Sequence, residues 1–297
     1  MTAQPSDAAP RVLVALDGSP AAVTALPVAR VVADQLGARV EILYIAPDHA
    51  PAGDLWERLQ ATVGPGEALQ VRRHAGEPAP AILAIAEEPG IALLVLTTHG
   101  RAIEPGRPLG HVAEAVIANT TRPILLVRPE AAVATEPRPL RHLLLPLDGS
   151  PATARVLRPA MDLARQLGAR IDILYVAGPY QAPSAEQGSI GAPRYLDQPH
   201  HEWPRWATEV RERLGEVLAH CPSDVELRVF LASGESGPEI ARFAETRHHD
   251  AIVLARRSRL EPGRAVTLRT VLDWTPCPIL LVGAPPAEVA GNGGRDR

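Results

Sequence analysis

The chain has 297 residues, enough for two domains of ordinary size, and 46% of them are hydrophobic and can supply two cores. A net charge of −4 shows none of the excess positive charge typical of nucleic-acid binding, and two cysteines are too few for a disulfide framework. All 30 basic residues are arginine, which excludes chemistry that needs lysine, such as a Schiff base or a P-loop lysine.

The sequence contains no segment of the kind that enters or crosses a membrane. No apolar run approaches the roughly 18 residues of a membrane-spanning helix. Residues 1–11 contain no apolar stretch that could act as a secretory signal. We therefore expect a cytoplasmic protein that binds neither membrane nor nucleic acid.

Short strings recur at a fixed spacing along the chain. Leu-Asp-Gly-Ser-Pro occurs at 16–20 and again at 147–151, and Leu-Gly-Ala-Arg at 36–39 and 167–170, both 131 residues apart. A spacing of this length is the size of a domain rather than of a solenoid repeat. The chain is therefore predicted to contain two copies of one fold.

The first copy alternates apolar runs with helical patterns. The run Arg11–Leu16 is typical of a strand buried on both faces. Ser19 and Pro20 suit the N-cap and first position of a helix that Pro27 bends and Gly37 ends. The further predicted elements are strand Val40–Ile45, strand Leu69–His74, helix Ala79–Glu87, strand Ile91–Thr98, helix Gly110–Asn119 and strand Pro123–Arg128.

The second copy repeats this order with one long insertion. The offset between copies rises from 131 residues at the Leu-Gly-Ala-Arg strings to 158 at the Gly-Glu pairs, which implies 27 additional residues, with Trp203 among them. The strands of this copy are predicted near Leu143–Leu147, Ile171–Val176, Val225–Leu231, Ala251–Ala255 and Ile279–Val282.

Strands that alternate with helices in this way predict an α/β fold with right-handed crossovers. We expect two tandem Rossmann-like domains, each a five-stranded parallel sheet with helices on both faces. The last strands of the two copies should lie near the pseudo-twofold axis, because each would otherwise leave an apolar edge exposed. The predicted boundaries are residues 1–134 and 140–286, a linker at Ala131–Pro139, and a disordered tail at 287–297.

The order of these motifs resembles a tandem universal stress protein, with two domains of the UspA type. The resemblance implies the HUP type of Rossmann-like fold for each domain. The resemblance covers nearly the whole chain, and each short motif is weak by itself. The motifs are the Asp-Gly-Ser turn after the first strand, Gly76–Pro78, Thr-His-Gly-Arg at 98–101, Leu-Gly-His-Val-Ala-Glu-Ala-Val at 109–116 and Arg-Pro-Ile-Leu-Leu-Val at 122–127.

The resemblance implies a pattern for the nucleotide-binding members of that family, Gly-x2-Gly-x9-Gly-Ser/Thr. In this pattern, glycines and a helix N-terminus approach the phosphates. The first copy keeps the spacing, with Thr97, Gly100, Gly110 and His111 at the four positions. Thr97 replaces the first glycine and His111 replaces the hydroxyl residue. His111 retains a group that can donate a hydrogen bond to phosphate.

The resemblance implies further positions in the same site. Asp17 would contact the adenosine end, and the backbone of Ile45 would contact the adenine edge. His99 and the amide of Val112 complete the predicted set. The implied ligand is ATP or AMP, with Mg²⁺ as a candidate companion.

The second copy lacks this pattern. Ala255-Arg256-Arg257-Ser258 replaces the first glycine element, and Ala265-Val266 occupies the place of Gly110-His111. Arg256, Arg257, Arg259 and Arg264 could hold phosphate by charge, but a solvated basic loop is the better interpretation. We expect a degenerate second copy.

Other candidate sites are weaker. His200-His201 and His248-His249-Asp250 suggest a metal, but no third ligand is spaced to join them, so surface histidines are the better prediction. Cys277 stands between two prolines, a poor context for a lowered thiol pKa. No histidine is arranged to activate Ser19.

The leading hypothesis is a regulatory protein in which an adenine nucleotide shifts the conformation or the association state, either as a homo-oligomer or as a pseudo-dimer of the two copies. The alternative is a scaffold that binds no nucleotide and acts through its surfaces, with the insertion around Trp203 as the contact. An adenylating enzyme is disfavoured because the sequence signatures of those enzymes and all lysines are absent. At most slow ATP hydrolysis is expected.

Overall fold

The computed structural model describes residues 9–46, 59, 70–100, 108–134, 136–147, 151–177, 224–256 and 266–283. In the first half, the strands are β1 (Arg11–Leu16), β2 (Arg39–Ala46), β3 (Gln70–Ala75), β4 (Ile91–Thr97) and β5 (Ile124–Val127). Its helices are α1 (Pro20–Val23), α2 (Ala25–Leu36), α3 (Pro78–Ala86) and α4 (His111–Asn119), and α5 (Pro129–Ala134) follows β5.

The second half repeats the alternation. Its strands are β6 (His142–Leu147), β7 (Arg170–Ala177), β8 (Leu227–Ser233), β9 (Ala251–Arg256) and β10 (Ile279–Gly283). Its helices are α6 (Pro151–Leu167), α7 (Ser236–Thr246) and α8 (Val266–Trp274). These elements agree with the predicted ones to within a few residues at each end.

Local signals place the first helices. The Ser19 hydroxyl accepts a hydrogen bond from the Ala22 amide at 3.1 Å, which confirms the predicted N-cap. The predicted bend is a break between α1 and α2 at Thr24. Pro27 explains the break, because it has no N–H to donate and its ring crowds the carbonyl four residues earlier. Gly37 ends α2 in the left-handed conformation, with φ 59°.

The ten strands form one sheet in the order β3-β2-β1-β4-β5-β10-β9-β6-β7-β8. Each half contributes five parallel strands, as predicted. The two sets meet where β5 and β10 pair antiparallel, with Leu125 opposite Leu280. The predicted proximity of the last strands is thus confirmed, and direct pairing merges the two expected sheets into one.

Hydrophobic cores cover both faces of the sheet, and each core includes residues of both halves. One face packs against α1, α2 and α6 through residues such as Val32 and Leu157. The other packs against α3, α4, α7 and α8 through residues such as Val116 and Val271. The α/β prediction with helices on both faces is therefore confirmed.

A glutamine side chain adds a polar contact between the halves. Gln35, on α2, accepts a hydrogen bond from the Leu140 amide at 2.8 Å and donates to the Leu167 carbonyl at 2.9 Å. Its amide therefore joins α2 to the end of α6 and to the segment before β6. The halves are held together by side chains as well as by the shared sheet.

Two predictions need correction. The expected linker at Ala131–Pro139 begins inside α5, which starts at Pro129. His249 is not a surface histidine but is buried, with 5% of its surface exposed. Position in the sequence could not show this, because strands from distant parts of the chain cover the ring.

Several predictions fall outside the described residues. They concern most of the 27-residue insertion, His200-His201 and the tail at 287–297. The domain boundaries stay predictions. None of the helices in the described ranges has both the length and the apolar character needed to cross a bilayer.

Candidate functional site

The strand order reverses between β1 and β4 in the first half. From β1 the chain proceeds outward to β2 and β3, and from β4 it proceeds the other way to β5. In open parallel sheets, this reversal leaves a crevice outside the carboxyl ends of the two strands, where ligands bind. Asp17 follows β1 and Thr98 to Gly100 follow β4, so the predicted site residues lie at this crevice.

Asp17 organises the turn between β1 and α1. Its Oδ1 accepts a hydrogen bond from the Ser19 amide at 2.8 Å. Gly18, between them, has φ 78°, a backbone conformation that residues other than glycine, asparagine and aspartate rarely adopt. The Asp-Gly-Ser string is therefore a turn that fixes the carboxylate at the end of the strand.

Gly100 lies directly against this carboxylate. A Cβ atom built on Gly100 would overlap Oδ2 of Asp17. The backbone of Gly100 is not in the left-handed region, so the need for glycine here is one of space. The sequence pattern attributes this glycine to phosphate approach, whereas the structure shows that it admits the Asp17 side chain.

Gly110 begins the helix on the other side of the crevice. Its amide donates a hydrogen bond of 2.9 Å to the Thr98 carbonyl, which attaches the start of α4 to the end of β4. The φ of Gly110 is −74°, and a Cβ there would make only ordinary contacts, the shortest 3.6 Å from the Thr98 carbonyl oxygen. The fold described here therefore does not require glycine at this position.

The first turn of α4 is exposed at the crevice. His111 is exposed, and 38% of the Val112 surface is accessible. The first amides of a helix are not used by its own hydrogen bonds, and the helix dipole gives this end a partial positive charge. These features suit an anionic group. The intervening loop, residues 101–107, lies outside the described residues.

The remaining predicted residues lie at the carboxyl ends of β4 and β2. Thr97 ends β4 and is half-buried, and His99 Nδ1 lies 3.1 Å from the Thr98 hydroxyl. Ile45 lies near the end of β2, the strand next to β1, and its side chain is buried in the core. The structure thus brings Asp17 and Gly100 together, whereas Ile45 lies at the same edge one strand away.

A model of the universal stress protein family matches residues 54–128 and 139–283. The chain belongs to this family. The two matched segments fall in the two halves of the sheet, as the tandem resemblance predicted.

Solved structures of the family have the same fold at low sequence identity. A universal stress protein from Archaeoglobus fulgidus DSM 4304 is 16% identical, with a TM-score of 0.60 over 93% of this chain and 98% of that one. A putative universal stress protein from Pseudomonas aeruginosa UCBPP-PA14 is 17% identical, with a TM-score of 0.57 over 93% and 94%. A universal stress protein crystallised in complex with cAMP is 17% identical and matches 50% of this chain and all of its own, with a TM-score of 0.35.

In the second half of this family member, an arginine at the carboxyl end of β9 contacts the first half. Arg256, at the end of β9, donates a hydrogen bond of 3.2 Å to the Ile117 carbonyl in the last turn of α4. The guanidinium passes over Gly283, where a Cβ would lie 2.8 Å from Nη2. Burial lowers the pKa of Arg256, against a smaller opposite effect of Glu87.

Arg256 is therefore not a solvated loop residue, since it ends β9, is half-buried and contacts the first half. Phosphate binding by this arginine stays a prediction. The other arginines of the predicted basic loop, Arg257, Arg259 and Arg264, lie outside the described residues, as does Asp148. For Cys277 the prediction is confirmed, because burial raises the pKa of its thiol.

One polar cluster was missed by the sequence prediction. Asp250, considered there as a metal ligand, accepts hydrogen bonds from the amides of Arg141 and His142 at 3.0 and 2.9 Å. Its neighbour His249 instead meets Asp172 and the His142 side chain. The available signal was an acidic residue inside an apolar strand, at matching positions of both copies, Glu41 and Asp172.

Proposed function

We propose that the first half binds an adenine nucleotide, ATP or AMP, at the crevice between β1 and β4, and that the bound nucleotide regulates the protein. One observation carries this proposal. The spacing motif read from the sequence falls at the point where the strand order reverses, with a helix N-terminus facing a carboxylate turn.

The two sides of the crevice suit the two ends of a nucleotide. The first turn of α4, which begins with His111 and Val112 after Gly110, presents backbone amides and an exposed imidazole to a phosphate group. The Asp17 carboxylate can accept hydrogen bonds from ribose hydroxyls. Because Asp17 is negatively charged, Mg²⁺ would favour ATP here by offsetting the repulsion between carboxylate and phosphates.

We assign the adenine base to the side of the crevice near β2. The backbone at the end of β2, near Ile45, is the proposed neighbour of the adenine edge, and Thr97 and His99 border the space at the end of β4. Thr97 has a branched side chain where the pattern has a glycine, and we expect it to crowd the ribose. The proposal therefore predicts weaker binding than a fully glycine-containing loop would give.

The helix that begins at the proposed site ends at the other half. α4 has nine residues, a length of about 14 Å, and its last turn accepts the hydrogen bond from Arg256. A ligand that shifts the start of α4 would therefore change a contact between the halves. We propose that regulation works through this helix and through association with partners or further copies, rather than through catalysis beyond slow ATP hydrolysis.

The test is to release and identify whatever nucleotide the protein carries. Freshly purified protein is denatured and the supernatant analysed by mass spectrometry, followed by calorimetric titration of nucleotide-free protein with ATP and AMP, with and without Mg²⁺. We expect an adenine nucleotide at close to one per chain. Absence of both a co-purified nucleotide and any binding at millimolar ATP would contradict the proposal and favour the scaffold hypothesis.

A further inference from the structure

Two histidines and an aspartate meet in the second half, at the amino ends of its strands. Because β5 and β10 pair antiparallel, this is the same edge of the sheet as the nucleotide site. His142 is the first residue of β6, Asp172 is the third of β7, and His249 precedes β9. The Nε2 atoms of His142 and His249 lie 2.9 and 3.2 Å from the same oxygen, Oδ2 of Asp172. One candidate ligand atom from each residue lies within 4.8 Å of the other two.

The cluster is buried and its polar atoms are incompletely satisfied. The side chain of His249 is 0% exposed and that of Asp172 is 2% exposed, whereas His142 is 12% exposed and forms the accessible side. Among the described residues, Asp172 Oδ1 and His249 Nδ1 are buried without a hydrogen-bond partner. Unpaired buried atoms of this kind are uncommon and costly.

The first half shows what the fold places at these positions otherwise. His142 and Asp172 correspond to Arg11 and Glu41, each 131 residues earlier, and those two form a direct ion pair. Glu41 is also paired with Arg72 at 3.1 Å. The same backbone positions thus accept an arginine–glutamate pair, so the fold does not require imidazoles in the second half.

We propose that His142, Asp172 and His249 form a binding site for a divalent transition-metal ion of the zinc class. Two imidazole nitrogens and one carboxylate oxygen form a common zinc ligand set, with Zn–N and Zn–O distances of about 2.0–2.2 Å. Tetrahedral coordination at those distances separates ligand atoms by roughly 3.3–3.5 Å. The two observed separations from Oδ2 need only small side-chain shifts to reach this value.

One contact in the structure competes with metal binding at His142. Arg170 Nη2 lies 3.3 Å from Nδ1 of His142, and a guanidinium can only donate. Coordination through Nε2 leaves the proton of a neutral imidazole on Nδ1, so the guanidinium of Arg170 must withdraw when the metal binds. Arg170→Met is therefore expected to tighten binding several-fold, whereas weaker or unchanged binding in this variant would count against the assignment.

The main experiment is calorimetric titration of the full chain with ZnCl₂, supported by the absorbance of the Co²⁺ form. The protein carries no polyhistidine tag and is first treated with a chelator. We expect one metal ion per chain and a melting temperature that rises with Zn²⁺, because a ligand bound only by the native state stabilises it.

Two variants make the result specific. His142→Arg with Asp172→Glu copies the ion pair of the first half, so it should fold while it binds Zn²⁺ at least about tenfold more weakly. His248→Asn is the matched control, because His248 is exposed and adjacent, with φ 55°, a conformation that asparagine accepts. Binding of Zn²⁺ equally by the wild type and the double variant, or loss of binding in His248→Asn alone, would overturn the proposal.

Discussion

The guanidinium of Arg128 donates a hydrogen bond of 2.7 Å to the backbone carbonyl of Leu272, joining the end of β5 to the last turn of α8 in the other half. It also donates to the Thr275 carbonyl at 3.1 Å. The second half has Gly283 at the position that corresponds to Arg128, and Arg256 performs the reciprocal contact with Ile117. Each half thus supplies an arginine to the end of a helix in the other, where cations are favourable.

Arg128→Met should therefore loosen the contact between the halves. The substitution keeps an apolar stem but leaves two carbonyls without their donor, which costs about 1–3 kcal/mol in the free energy of unfolding. Urea denaturation measures this cost. Arg242→Met is the control, because Arg242 pairs with Glu239 on the exposed surface, and it should change stability little. Equal stability of both variants would show that the Arg128 contact contributes nothing.

Local features of the fold were predictable because local chemistry determines them. Ser19, Pro20 and Gly37 act within a few residues of themselves, and their positions at the helix ends agree with the prediction. The five parallel strands in each half follow from continuous apolar runs alternating with helices. The pairing of β5 with β10 was predicted only as proximity, since an apolar edge strand must be covered but its sequence does not specify the partner strand.

Contacts between distant residues were not predictable in the same way. Asp172 and His249 are 77 residues apart, and their meeting depends on the order of strands in the finished sheet. Arg256 was assigned to a loop because its neighbours are basic, but a long side chain is placed by the space around it, here above Gly283. Gly100 was assigned to a phosphate-binding pattern, and that assignment stays a prediction, whereas its contact with the Asp17 side chain was not predicted.

The relationship between Gly100 and Asp17 predicts a strong coupling of two substitutions. Gly100→Ala should destabilise the wild type by about 1–3 kcal/mol, because the added methyl group displaces the Asp17 carboxylate. In an Asp17→Ala background the same substitution should cost less than about 1 kcal/mol, since the obstructing atom is absent. Thermal or urea denaturation of the four proteins measures the coupling. An equal cost in both backgrounds would show that something other than Asp17 requires the glycine.

Glu87 predicts a pH-dependent contribution to stability. Burial alone would raise its pKa, but hydrogen bonds from the hydroxyl and amide of Thr121 and from the Thr120 hydroxyl, with the charge of Arg122, hold the pKa below its ordinary value. A carboxyl group whose pKa is lower in the folded state stabilises that state at pH values above the unfolded pKa of about 4.3. This stabilisation is lost as the pH falls through the folded-state pKa.

Glu87→Gln should therefore lower stability at pH 7 by about 1 kcal/mol, a modest value because the side chain is partly exposed. The difference from the wild type should shrink progressively as the pH falls below about 4. Urea denaturation at a series of pH values measures this. A difference that stays constant across the series would contradict the assigned role of the carboxylate.

Gly110 gives a test of the nucleotide site that is separate from folding. Because Gly110 has φ −74° and a Cβ would meet only ordinary contacts, Gly110→Ala should leave stability almost unchanged. Gly110→Val places a branched side chain at the start of α4, where phosphate would approach the backbone, so ATP affinity should fall at least about tenfold. Calorimetry on variants with confirmed melting temperatures measures both. Unchanged affinity in Gly110→Val would remove α4 from the site.

The two halves should differ in nucleotide binding. The first half keeps the spacing of the motif and the turn that holds Asp17, whereas the second has Ala255 at the first position of the motif and commits Arg256 to the contact with Ile117. Titration should therefore give close to one nucleotide per chain. Asp17→Ala should weaken binding, and Asp148→Ala, the matched substitution in the second half, should have almost no effect. Two sites of similar affinity would instead show that the arginines around residue 256 replace the glycine loop.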